Sequence, residues 1–225
     1  MSRTILVVAA HPDDEALGCG GTMARHAAEG DSVYVLFMTN GVDARQSVSN
    51  NDAGVRSEAA EKACELLGAK EYIYNDFPDN RLDTVALLDI TQSIEKVISR
   101  IQPEIIYTHH IGDLNIDHRR THEAVLTACR PQPNFCVKQI YAFEVLSATD
   151  WNTSDSNYFL PNYFVGVTAF FKKKLDSLKA YSSEMRDEPH SRSLKNSERL
   201  SELRGACVGI ENAEAFMLIR CINKV

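Results

Sequence analysis

Two short segments hold the side chains from which chemistry could be built. The first, Ala10-His11-Pro12-Asp13-Asp14-Glu15, sets an imidazole, two adjacent carboxylates and a third behind them around a proline that stiffens the turn. The second runs from His109 to His122, and its 14 residues contain four of the chain's seven histidines: His109, His110, His118 and His122. Imidazole and carboxylate without thiolate are the donors of a catalytic zinc site, where three protein ligands leave a position for water. A metal there brings the pKa of that water from about 15.7 to near 7, and a neighbouring carboxylate can take the proton. Asp13 and Asp14 can divide those tasks, one holding the metal and the other facing the water. Plainer roles exist for each residue: either aspartate could simply cap a helix, and His118 could be an ordinary surface histidine.

Positioning these groups requires strand ends and helix starts. Residues 4 to 9 form a continuous apolar run that suits a strand covered on both faces, so the first segment is the turn leaving that strand. A helix over 15 to 29 follows, with Gly18, Gly20 and Gly21 allowing a close approach to the strand and Gly30 as its stop. Residues 32 to 39 give a second buried strand closed by Asn40-Gly41, which completes a βαβ unit with a right-handed crossover. The polar stretch from Val42 to Gly54 is read as an exposed loop, then come a helix over 55 to 67 and a short strand over 71 to 75. Asp83 or Thr84 is expected to cap a helix reaching Arg100, and the strand over 104 to 108 runs straight into His109 and His110. Adjacent strand residues face opposite ways, so at most one of that pair can face a metal. Asp117 is read as the N-cap of the next helix, on which His118 and His122 stand four apart on one face. An alternating strand over 138 to 145, a polar and aromatic loop over 149 to 162 with Trp151, an edge strand over 164 to 167, and helices over 169 to 186 and 194 to 207 complete the chain. Strands alternating with helices imply a parallel sheet, whose ligands bind outside the carboxyl ends of the strands. Both polar segments fall at that edge.

Composition narrows the setting. With 225 residues, 44% hydrophobic and 24% charged, the chain suits one globular domain, and no apolar run approaches the roughly 18 residues of a membrane span. The N-terminal run is too short for a signal peptide, so a cytoplasmic location is expected. A formal charge of −7 argues against nucleic-acid binding. The basic run Lys172-Lys173-Lys174 is read as a solvated helix face. Cysteines 19, 64, 129, 136, 207 and 221 form no CxxC pair and are read as buried free thiols.

The run from Ala10 to Thr22, AHPDDEALGCGGT, together with the later LNIDHRRTH, resembles the zinc-dependent de-N-acetylases of the PIG-L and LmbE type. The similarity extends to the Arg56 helix, to Pro189-His190-Ser191-Arg192-Ser193, to Arg204-Gly205 and to Ala213-Glu214-Ala215-Phe216, the tail motifs being those of a bacterial branch. It implies a Rossmann-like α/β fold, a three-layer αβα sandwich with a mostly parallel central sheet. It also implies His11, Asp14 and His118 as metal ligands and Asp13 as the general base. Where the family carries His-Pro-Asp-His, this chain reads Asn115-Ile116-Asp117-His118. Asn115 cannot be a general acid, although its amide can donate to an oxyanion, and His110 or His109 is the expected substitute if an acid is needed. Arg56, His122, His190 and Arg192 are the candidate substrate-binding residues. Arg56 suits a structural ion pair equally, His122 a supporting role, and the His190–Arg192 segment a lid over a sugar. The implied cofactor is Zn2+, with Fe2+ suited to the same His2Asp donor set. The expected substrate is a small acetamido sugar or sugar conjugate, cleaved to acetate and a free amine; a homo-oligomer is possible, and the sequence leaves the oligomeric state open. A related amidase acting on a non-sugar or thiol conjugate, or an inert sugar-binding member of the fold, are the alternatives.

Overall fold

The computed structural model describes residues 2–41, 52–153 and 157–223. The apolar run folds as strand β1 (Thr4–Ala9), followed by α1 (Asp14–Ala28), β2 (Ser32–Thr39), α2 (Asp52–Leu67), β3 (Glu71–Phe77), α3 (Leu87–Ile101), β4 (Ile105–His109) and α4 (Ile116–Ala128). The remainder is β5 (Gln139–Phe143), β6 (Tyr163–Gly166), α5 (Phe171–Ala180), α6 (Leu194–Ala206) and β7 (Ala213–Cys221). One sheet carries all seven strands in the order β3-β2-β1-β4-β5-β7-β6. Strands β1 to β5 pair in parallel, while β7 runs antiparallel to both β5 and β6.

Burial on both faces explains why β1 is apolar throughout. Ile5, Val7 and Ala9 pack with Met23 of α1, Ala60 and Leu67 of α2 and Leu178 of α5, whereas Leu6 and Val8 pack with Ile90 and Ile94 of α3 and Val125 of α4. Helices therefore cover the sheet on each side, giving the expected three-layer, mostly parallel α/β sandwich. From β1 the chain passes outward to β2 and β3 on one side, and from β4 to β5 on the other. The carboxyl ends of β1 and β4 thus border the crevice where parallel sheets bind ligands.

Several elements differ from the sequence expectations, each for a physical reason. α2 begins at Asp52, so Gly54 is helical; of the expected loop, residues 42–51 lie outside the described residues. Neither Asp83 nor Thr84 caps α3, whose N-cap is Ala86. Leu82–Thr84 instead make a separate 3-10 turn, because Leu82 is buried in the core and its amide donates to Asp117 at 2.9 Å. Asp117 is likewise not a cap: Asn115 holds that position and accepts the Asp117 amide at 2.8 Å. The helix expected to reach Arg186 stops at Ala180, and the strand β7 had no counterpart among the elements expected from the sequence. Lys174 is buried, not solvated, and bonded to Glu214 at 2.6 Å. All six cysteines are free, but Cys207 and Cys221 are exposed.

α1 is interrupted. Cys19 adopts φ −146° and ψ 22°, and the helix resumes beyond it. The two halves lie close against different neighbours: a Cβ on Gly18 would meet the Phe143 ring at 2.3 Å, and one on Gly21 would meet Val167 at 2.9 Å. Gly18→Ala is therefore expected to destabilise the protein by about 1–3 kcal/mol, as overpacked cores do, seen as a lower denaturant midpoint with an unchanged slope.

Candidate metal centre

The turn after β1 and the segment after β4 meet at the crevice, tied by the Ala10 amide, which donates to His109 Nε2 at 2.8 Å. Asp14 opens α1, and its Oδ2 lies 3.2 Å from His11 Nδ1 and 3.3 Å from His118 Nε2, the latter reaching across from α4. One ligand atom from each of His11, Asp14 and His118 falls within 4.8 Å of the others, and all three residues are buried. The far nitrogen of each imidazole is held by another carboxylate. His11 Nε2 stands 3.1 Å from Asp117 and 3.2 Å from Asp79, and His118 Nδ1 stands 2.9 Å from Asp113. Carboxylates behind the imidazoles are the usual support of metal-bound histidines, fixing ring orientation and tautomer. The donor set therefore fits a divalent cation.

Asp13 has another environment. Its φ of 120° lies in the left-handed region, a strained backbone for a non-glycine residue that costs about 1–3 kcal/mol. Its side chain makes no capping bond to α1. The carboxylate sits between two guanidinium groups, with Arg192 Nη1 at 2.9 Å and Arg56 Nη2 at 3.5 Å. Asp13 and Asp14 are thus neighbours in sequence whose carboxylates face different partners.

Burial and charge set the protonation of the cluster. Burial alone would raise Asp14, but the adjacent His118 and His109 hold it well below the usual carboxylate range. Burial lowers His118, yet Asp14 and Asp113 overcome it and bring the imidazole up to about 9. His11 is raised in the same way against its burial, by Asp117, Asp14 and Asp79. His109 is pressed down to about 4 by burial and by the charge of His118, so it is neutral, consistent with its Nε2 accepting the Ala10 amide. Burial raises Asp13 more than Arg192 and Arg56 lower it, and pushes Glu15 behind it up to about 8.

A cavity of about 260 Å3 opens over this cluster, lined by His11, Asp13, Asp14 and His118, by Arg56, Arg186 and Arg192, and by Asp79, Asn80, Asn115 and Glu184 among others. Arg56 donates to the carbonyls of Pro12 and Gly41 and pairs with Glu184 at 3.3 Å as well as Asp13, so it ties two turns together at the cavity wall. Arg192 is steadied by the Ser147 hydroxyl at 2.9 Å. Asn115 reaches the cavity with its side-chain amide donating to Asn80 at 3.0 Å. Other expected residues lie elsewhere. Past the end of β4 the side chains part: His109 faces the cluster, while His110 Nε2 meets the Asn157 carbonyl at 3.0 Å and does not line the cavity. His122 donates to the His109 carbonyl at 2.8 Å and does not line the cavity. His190 accepts the Arg192 amide and packs edge-on against Trp151, and neither ring lines the cavity. Sequence reasoning missed Asp79, Asn80, Asp113, Asp117, Ser147 and Glu184. Only the position of Asp79 and Asn80, just past the carboxyl end of β3, could have pointed to them.

Residues 6–129 match the model of the PIG-L family, GlcNAc-PI de-N-acetylase. The uncharacterized deacetylase YaiS of Escherichia coli (strain K12) is 32% identical over 187 residues, 80% of this chain and 91% of that protein. A probable N-acetyl-alpha-D-glucosaminyl L-malate deacetylase 2 of Bacillus cereus is 27% identical over 87% of this chain and 91% of its own length. Among solved structures, the N,N'-diacetylchitobiose deacetylase of Pyrococcus horikoshii, in complex with its inhibitor MPG, superposes with a TM-score of 0.79 at 21% identity, over 97% of this chain and 84% of that one.

Proposed function

The chain belongs to the PIG-L family of GlcNAc-PI de-N-acetylases, and from that premise we propose that it is a metal-dependent amidohydrolase of acetamido sugars. Water cleaves the amide C–N bond, acetate leaves, and the sugar keeps a free amine. The observation that carries this reading is the convergence of His11, Asp14 and His118 beside a separate carboxylate, Asp13, in one cavity. These three donors would hold a divalent ion, zinc foremost and iron(II) suited to the same set. When bound, such an ion polarises the amide carbonyl and makes hydroxide available near neutral pH.

The remaining work falls to the chain's own residues. Asp13, uninvolved in capping and oriented by Arg192 and Arg56, takes the proton of the attacking water and returns it to the sugar nitrogen, which must be protonated to leave. Asn115 exchanges its bond to Asn80 for one to the developing oxyanion. Arg186 and Arg192 at the cavity wall hold the sugar and what is attached to it. Free thiols throughout suit a reducing compartment, in keeping with a cytoplasmic enzyme.

Acetate release from a panel of N-acetylated hexosamines, acetamido disaccharides and sugar conjugates tests the reading. The expected result is release from at least one, abolished by a chelator and restored by zinc. A folded, zinc-loaded protein inert towards the whole panel would remove it.

A further inference from the structure

We propose that the buried pair Lys174–Glu214, contributed by α5 and β7, is a positioning device for Asp13 and Asp14. The inference rests on the reading of His11, Asp14 and His118 as metal ligands. Its basis is the interruption of α1. In an unbroken helix the Gly21 amide and the Leu17 carbonyl would bond one another, being four residues apart. Here the Gly21 amide donates to Glu214 Oε1 at 2.9 Å, and the Leu17 carbonyl accepts from Lys174 Nζ at 2.8 Å. Lys174 Nζ and Glu214 Oε1 are themselves 2.6 Å apart. The ion pair thus occupies the open rung of the helix, and Glu214 Oε2 also accepts the Thr22 amide at 2.7 Å, capping the second half of α1. Both side chains are buried, Lys174 with 5% and Glu214 with 4% of its surface exposed.

The first half of α1 is what this arrangement fixes. The Leu17 amide donates to the Asp13 carbonyl at 2.9 Å, so the peptide held by Lys174 is one turn from the residues that face the cavity. Gly18, the next residue, has no room to move towards Phe143. Lys174 sets how far α1 leans, and with it the distance from Asp14 to His118 on α4. Among the described residues, the polar partners of the Lys174 and Glu214 side chains are one another, Leu17, Gly21 and Thr22, none of them a member of the His11–Asp14–His118 group.

Lys174→Met and Glu214→Gln, with exposed Lys172→Met as the control, test the idea. Zn2+ dissociation constants come from chelator competition, and the visible spectrum of the Co2+-loaded protein reports donor geometry. For each variant that keeps the parent's circular dichroism, the expected result is a Zn2+ dissociation constant raised about 10- to 100-fold, the range for lost support behind metal ligands. The Co2+ spectrum changes with it, and kcat falls while KM holds. Lys172→Met behaves as the parent. A lower melting temperature with unaltered Zn2+ affinity and Co2+ spectrum would overturn the proposal and make the pair a fold stabiliser only. A parent protein that binds neither ion would overturn the reading of the centre, and this inference with it.

Discussion

His118→Ala is expected to give a folded protein that retains no stoichiometric zinc after dialysis and releases no measurable acetate. His118 supplies one of three donors from an element remote in sequence from the other two, and among the described residues no cavity-lining histidine other than His11 stands ready to replace it. Its removal also strips Asp113, held at about 2 by the nearby His109 and His118 in spite of burial, of its 2.9 Å bond to the His118 ring. Loss of a supporting carboxylate alone costs about 10- to 100-fold in affinity, so loss of the donor itself should exceed about 100-fold. Metal analysis of the dialysed protein reads the outcome directly. A variant that keeps one equivalent of zinc and activity within tenfold of the parent would place His118 outside the centre.

Asp13→Asn should lower kcat by about 10^2- to 10^4-fold while KM and zinc content stay at parental values. Asparagine matches the shape of aspartate and tolerates the left-handed backbone that residue 13 adopts better than most side chains, so a folding defect is not expected. What it cannot do is accept a proton. Steady-state kinetics paired with metal analysis separate the two adjacent aspartates: loss of zinc along with activity would make Asp13 a ligand and undo the division of labour drawn from its pairing with Arg192 and Arg56.

His11, Asp13 and Asp14 are legible in the sequence because an apolar run, a proline turn and a glycine-rich helix start are local signals that fix where the side chains must project. His118 is legible from its strand-end context and from the family resemblance. The carboxylates behind the imidazoles are not, since Asp79, Asp113 and Asp117 are ordinary polar residues until β1, β3 and β4 are brought into one sheet. Asp117 shows the difficulty well: it sits where a helix cap is expected, yet its oxygens accept the Asn80 and Leu82 amides. Lys174 is hidden within a run of three lysines that suits a wet surface, because nothing local announces that Glu214 waits behind one of them. That same inward glutamate interrupts, at its start, the apolar run over residues 213–219 that would have marked β7 as a buried strand.

The placing of β7 has a consequence for synthesis. Strands β1 to β5 can join one another in the order in which they leave the ribosome, but among the described residues β6 has no partner in the sheet except β7. Until residues 213–221 emerge, Tyr163–Gly166 and the helices packed beyond it wait beside an incomplete edge, a state in which exposed strands invite aggregation. A nascent chain stalled before residue 213 would thus carry the whole first polar turn and still be without the last brace beneath it.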